Sequence, residues 1–155
     1  MMSATAYKRG DGIYLHSNSR TTMGLWIATP PFIRIHLDES EHVKGKAILE
    51  TLAASGGTVE HPKQDEWNDV FCPMLRLAAV KSERAFEEGT LRCDLEVDGT
   101  QLRIVPCRQI RPGRGYESIE SLAILISVQS SPGAISAGLE EAFSRCEIRR
   151  GRRER

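Results

Sequence analysis

The chain has 155 residues, 40% of them hydrophobic and 27% charged, with a formal net charge of zero. That length and mix fit one globular domain and exclude fibrous, collagen-like and intrinsically disordered chains. No apolar run approaches the ~18 residues of a membrane-spanning helix.

Residues 1–10 lack the apolar stretch of a secretory leader, so the expected location is the cytoplasm. Gly12-Ile13-Tyr14-Leu15-His16 reads as a short strand. Leu25-Trp26-Ile27-Ala28 reads as another, ended by Pro30-Pro31, and residues 32–37 alternate as a third. Asp38-Glu39-Ser40-Glu41 then supplies a cap and an acidic first turn, with Val43, Ala47, Ile48, Thr51 and Leu52 as a helical stripe and Gly56-Gly57 as its stop. Gly45 inside that helix costs about 1 kcal/mol relative to alanine, which implies that something packs close to it. Shorter helical pieces are expected over 71–79 and 82–88.

Apolar and polar residues alternate strictly through Leu91-Arg92-Cys93-Asp94-Leu95-Glu96-Val97, and Asp98-Gly99 is a favoured two-residue turn. The second strand of this hairpin runs over 100–107. A turn at Asp98-Gly99 sets Val97 opposite Thr100, Leu95 opposite Leu102, Cys93 opposite Ile104, and Asp94 opposite Arg103 as an ion pair. Arg111-Pro112-Gly113-Arg114-Gly115-Tyr116 reads as a loop. Residues 123–128 form a near-continuous β-branched run, the strongest candidate for a central strand buried on both faces. Ser131-Pro132 opens a second long helix with Ile135, Leu139, Phe143 and Cys146 near one face. Strands and helices mixed with a tight hairpin predict an α+β fold: a largely antiparallel sheet packed with two main helices in a single compact domain. The domain is expected over 1–148, with 149–155 as a basic, disordered tail.

The tail holds five arginines and one glutamate, so residues 1–148 carry 16 basic against 20 acidic side chains. A mildly acidic body offers no basic face for nucleic acid, leaving only the arginine tail for such binding. Cys72, Cys93, Cys107 and Cys146 are widely spaced without metal-ligand spacing and read as buried, reduced thiols. No phosphate loop, dinucleotide fingerprint or nucleophile elbow is present. His16, His36, His42 and His61 lack helical metal-pair spacing, and no orienting third group marks Ser17 or Cys93 as a nucleophile. No catalytic residue, metal or cofactor is therefore assigned. Asp65, Glu66 and Asp69 surround Trp67, and Glu83, Glu87 and Glu88 follow shortly after. These seven residues read either as an anionic patch with a tryptophan anchor for a cationic protein, or as a core tryptophan with solvated neighbours.

Tyr14-Leu15-His16-Ser17, the stretch from Arg20-Thr21-Thr22 to Trp26-Ile27, Gly45-Lys46-Ala47-Ile48-Leu49, and His61-Pro62 leading to Trp67 form a distinctive series. Together with Pro73-Met74-Leu75, Val80-Lys81-Ser82 and the hairpin, the chain from Gly12 to Cys146 resembles the immunity proteins of bacterial contact-dependent growth inhibition systems (CdiI). The order and spacing of these elements carry the likeness. It implies a cytoplasmic inhibitor, not an enzyme, that binds and neutralises the C-terminal toxin domain of a large surface-displayed protein. The toxins of such systems are often nucleases, whose basic surfaces an acidic body would suit. The resemblance carries over no catalytic or contact residue. The alternative is a small cytoplasmic hydrolase or transferase of unrecognised type; the oligomeric state is left open.

Overall fold

A computed structural model of the chain describes residues 1–148; the expected tail, 149–155, lies outside them. The eight residues Met2–Arg9, which carry no strand signal strong enough to be read from sequence, form β1 at the centre of the sheet. Their side chains alternate between small core residues, Ala4 and Ala6, and the opposite-facing Thr5 and Tyr7. β2 (Gly12–Thr21) and β3 (Trp26–His36) follow. β3 runs through Pro30-Pro31 instead of stopping there. His16 pairs with Phe32 and Ser17 with Thr29, so the two prolines bulge out unpaired on an edge strand where no ladder N–H is required of them.

α1 (Glu41–Ala53) begins at Ser40, whose Oγ accepts from the Val43 N–H at 3.1 Å. Its buried face is Lys44, Gly45, Ile48, Thr51 and Leu52, so Val43 falls off the expected stripe and is exposed. β4 (Thr58–Val59) pairs in parallel with the end of β2. A 3-10 helix (Gln64–Asp69), α2 (Cys72–Ala78) and α3 (Glu83–Glu87) come next, the last two where short helical pieces are expected. β5 (Leu91–Asp98) and β6 (Gln101–Gln109) make the hairpin, followed by β7 (Tyr116–Ser118), β8 (Ile124–Ser127) and α4 (Pro132–Ser144).

The strand order is β3-β2-β1-β5-β6-β7, with β8 also on β6. All pairings along this path are antiparallel. The α+β class, the antiparallel sheet and the two long helices are as expected. The hairpin register is not: the turn is Gly99-Thr100, Val97 faces Leu102, Leu95 faces Ile104, and Arg103 faces Glu96 instead of Asp94. Only Gly99 of the turn pair has positive φ, at 64°. A left-handed first turn residue alone is the type II′ pattern, whereas a turn at Asp98-Gly99 of type I′ needs both residues left-handed. The shift moves each partner by two residues, so the buried face survives. Residues 123–128 are also misjudged as a central strand. β8 is a four-residue edge pairing with β6 alone, and Leu125 is 58% exposed.

α1 and α4 pack side by side on one face of the sheet over Ala4, Ala6, Ile13, Leu15, Cys93, Leu95, Leu102 and Ile104. Their contact explains Gly45: a Cβ there would lie 1.7 Å from the Pro132 carbonyl oxygen. Glu41 ties the helices together, accepting from Ser136 Oγ at 2.7 Å and from Lys44 Nζ at 3.1 Å. Those bonds, Ser136 first, hold the Glu41 carboxyl below its ordinary value. The sheet's other face is only partly covered. Tyr7, Tyr14, Met74 and Phe86 form a smaller core under α2 and α3, with Phe86 edge-on to Tyr7, Tyr14 and Phe71 at 5.0–5.8 Å. Beyond this aromatic cluster the sheet is open.

Candidate functional site

The open part of that face is the floor of a cleft of about 590 Å³. Strand register dictates what lines it. Thr5 pairs with both His16 and Asp94, giving one cross-strand row, and Ser3 pairs with Glu96 in the next. Asn18 closes that second row, its Nδ2 donating to Ser3 Oγ at 3.1 Å and Thr5 Oγ1 at 3.0 Å. Tyr7 and Arg92 lie one row further in, at the edge of the aromatic cluster. The rest of the lining is Trp26, Ile27 and Ala28 of β3, together with Trp67, Val70, Phe71, Glu83 and Glu87.

Trp67 is 38% exposed, which rules out its reading as a core residue. Its position is relayed from the sheet: Thr21 Oγ1 bonds His61 Nδ1 at 2.9 Å, and the His61 ring meets Trp67 edge-on at 5.2 Å. Trp26 is 40% exposed, and Met23 and Leu25 just before it in the chain are exposed too, though they do not line the cleft.

The structure divides the seven acidic-patch candidates. Trp67, Glu83 and Glu87 line the cleft. Glu66 and Asp69 line a second, shallower hollow with His61 and Lys63. Asp65 and Glu88 are exposed and line neither. Two of the carboxylates already have structural work. Glu66 Oε1 accepts from the Lys63 N–H at 2.8 Å, and Glu87 Oε1 accepts from the Gly113 and Gly115 N–H groups at 2.8 and 3.2 Å. Sequence reasoning missed the floor: Asp94 and Glu96, on β5 beside β1, share the cleft lining with Glu83 and Glu87. The alternation of 91–97 does place Arg92, Asp94 and Glu96 on one face, and that was the available signal.

Within the cleft, Arg92 Nη2 pairs with Asp94 Oδ1 at 3.0 Å, and Asp94 Oδ2 accepts from Ser118 Oγ at 3.1 Å. Glu83 and Glu96 make no ion pair among the described residues. Arg103, opposite Glu96 on β6, is bonded to Glu120 and also feels the Glu96 charge. Desolvation and then the Glu87 carboxylate raise the Glu83 carboxyl above its ordinary value. Burial lowers the His16 imidazole to about 4 and pushes the Tyr7 hydroxyl well up. Both shifts hold the groups neutral and far from the neutral-pH poise of a general acid or base.

The nucleophile candidates are also silent. Ser17 is next to His16 in β2 and therefore points to the other face, where its Oγ donates to Thr51 O. Cys93 is on that same face with its Sγ 3.6 Å from Cys146 Sγ, and burial pushes its thiol far up, away from a reactive thiolate. All four cysteines are free thiols; Cys93 and Cys107 are buried, Cys72 and Cys146 partly so. Among the described residues no three His, Cys, Asp or Glu side chains gather as a metal cluster, and no helix is long and apolar enough to cross a membrane.

The antiparallel α+β scaffold thus carries a wide, carboxylate-lined cleft whose lining includes two exposed tryptophans. The chain belongs to the CDI immunity protein family, CdiI, whose family model matches residues 2–146. No curated protein matches it in sequence. Two solved structures share the fold at low identity. One is described as a protein of unknown function, NMB0488, from Neisseria meningitidis (20% identity, 94% of this chain and 95% of that one, TM-score 0.77). The other is from the CdiA-CT/CdiI toxin and immunity complex of Yersinia pseudotuberculosis (19% identity, 94% and 97%, TM-score 0.76).

Proposed function

We propose that this protein acts in the cytoplasm as the immunity partner of a CdiA-type C-terminal toxin domain, binding that domain and neutralising it without chemistry of its own. Membership of the CDI immunity family over residues 2–146 carries the reading. The Yersinia pseudotuberculosis relative in fold comes from a toxin and immunity complex, which is the assembly proposed here. The acidic body suits a toxin with a basic surface, and a nuclease is the class of toxin that needs one. The proposed contact surface includes Asp65, Glu66, Trp67 and Asp69 of the 3-10 helix, Glu83 and Glu87 of α3, and Glu88 at its C-cap. A standard interface of ~1,600 Å² with a few desolvated anchors supplies nanomolar binding.

Growth rescue tests this. The C-terminal domain of the large protein encoded beside this chain's gene is induced in a susceptible cell with and without the chain. Growth arrest that the chain reverses supports immunity; arrest that persists despite expression of folded chain rejects the pairing.

A further inference from the structure

We propose that Cys93 and Cys146 are a reversible dithiol pair, which a peroxide converts into a disulfide that fastens the segment after α4 to the inner strand β5. The pair belongs to the core under the two long helices and is no part of the cleft, so the proposal does not depend on the immunity reading.

The fold brings these two sulfurs together from positions 53 residues apart, with their Sγ atoms at 3.6 Å. Cys93 is fully buried in β5, which is paired with β1 on one side and β6 on the other. Cys146 follows Arg145, the C-cap of α4, and packs against the core while staying partly exposed. A disulfide needs a sulfur separation of about 2.05 Å, so the gap to close is ~1.5 Å. That movement falls to Cys146, because Cys93 is fixed between two strands. The other two thiols are engaged elsewhere. Cys72 Sγ donates to the Asn68 carbonyl at 3.0 Å, and Cys107 Sγ lies 3.5 Å from Asp94 Oδ2. Among the described residues only Cys93 and Cys146 meet sulfur to sulfur.

Their surroundings give the two thiols different roles. Burial keeps the Cys93 thiol protonated. The bond that Cys93 donates holds the Cys146 thiol below its ordinary value, against the opposing effect of desolvation. Cys146 is thus the sulfur that water and a small oxidant reach, and the one with more thiolate character. Its sulfur attacks the peroxide: an S–O bond forms, the O–O bond breaks, and the departing oxygen leaves as water with the thiol proton. Cys146 is then a sulfenic acid, oxidised by the two electrons that the peroxide gains. The Cys93 sulfur attacks that sulfur next. The S–S bond forms, the S–O bond breaks, and the departing hydroxide takes the Cys93 proton as a second water. Two thiols and one hydrogen peroxide give one disulfide and two waters, and a dithiol reductant restores both thiols by exchange.

The bond would act on a segment otherwise held by hydrogen bonds to β6. The Glu147 N–H donates to the Cys107 carbonyl at 3.1 Å, and the Glu147 carbonyl accepts from the Gln109 N–H at 2.8 Å. A covalent tie one residue earlier restrains the opening of that bridge.

Peptide mapping tests this on the full chain, reduced, desalted and then treated with hydrogen peroxide before the remaining thiols are alkylated. Trypsin cuts after Arg92, Arg103, Arg145 and Arg149, so Cys93 and Cys146 fall in peptides 93–103 and 146–149. The expected result is a cross-link between these two peptides within the monomer, lost on adding dithiothreitol. Hydrogen exchange at the Glu147 amide should slow about tenfold in the oxidised form. Cys93→Ala should leave a sulfenic acid on Cys146 that dimedone labels, whereas Cys146→Ala should leave Cys93 unmodified. Circular dichroism checks both variants, and the wild-type map decides by itself should either misfold. Folded wild-type chain that keeps both thiols in excess peroxide overturns the proposal. So does over-oxidation of Cys146 with no cross-link, or a disulfide formed instead with Cys72, Cys107 or a second chain. Unchanged exchange at Glu147 in cross-linked protein overturns the fastening.

Discussion

His16 is in the middle of β2 with almost no contact with water, and its neutrality is a property of the fold. Burial lowers its imidazole from the ordinary 6.5 to about 4, the Ser17 carbonyl opposing the shift in part. As pH falls below about 6.5 the unfolded chain takes up a proton that the folded chain refuses, so stability drops between 6.5 and 4 and levels off below. The size of the effect is about 3 kcal/mol. Urea unfolding at pH 4, 5, 6 and 7 should show this acid limb, and His16→Phe, which keeps the aromatic contacts to Tyr7, Phe32 and Phe71, should flatten it. An unchanged acid limb in the variant would assign the loss to other groups. Residues of this kind are poorly legible in sequence. His16 has the same apolar and polar neighbours as any strand histidine, and only the packing of Phe71 and Phe32 around it excludes water. Glu87 shows the converse: its place in an acidic cluster suggests a solvated contact residue, yet the loop at Gly113 and Gly115 closes on it.

Local signals set the helices accurately, because caps and stops act within one turn of chain. Ser40, Ser82 and Ser131 each accept from the N–H three residues on, and these caps are visible in sequence. Gly45 belongs to this scale as well. Its cost within a helix foretells a close neighbour, and the neighbour is the first turn of α4. Gly45→Ala gains about 1 kcal/mol in helix propensity but forces the Pro132 backbone away from α1. The net expectation is a loss of about 1–3 kcal/mol, or a fall in Tm of several degrees by calorimetry. A variant as stable as the parent would show that α1 and α4 slide apart freely. Strands were less legible. β1 lacks the bulky β-branched pattern, since Ala4 and Ala6 leave room for two helices overhead, while the β-branched run at 123–128 ended at an edge. Apolar composition reports that a segment is buried somewhere, and position in the sheet depends on partners far away in the chain.

At the scale of the molecule, an acidic body should draw a basic toxin from a distance. Association should slow as ionic strength rises, because the steering field is screened beyond about 10 Å at 0.1 M salt. Neutralising Asp65, Glu66, Asp69 and Glu88 together should slow stopped-flow association several-fold at low salt and flatten its salt dependence; unchanged rates would place the toxin on another face. Composition and charge order alone determined the α+β class, both long helices, the hairpin and its buried face, and the order of weak motifs that resembles the immunity family. Those features depend on residues near in sequence, where turn chemistry, capping and periodicity act. The tertiary structure alone decided the cleft. Glu83, Glu96, Trp67 and the buried His16 come to line one cleft because β5 pairs with β1 while α2 and α3 cover only part of the sheet. Side chains brought together from β1, β2, β5 and α3 have no common period in the sequence, and their charges and burial exist only once the strands are in register.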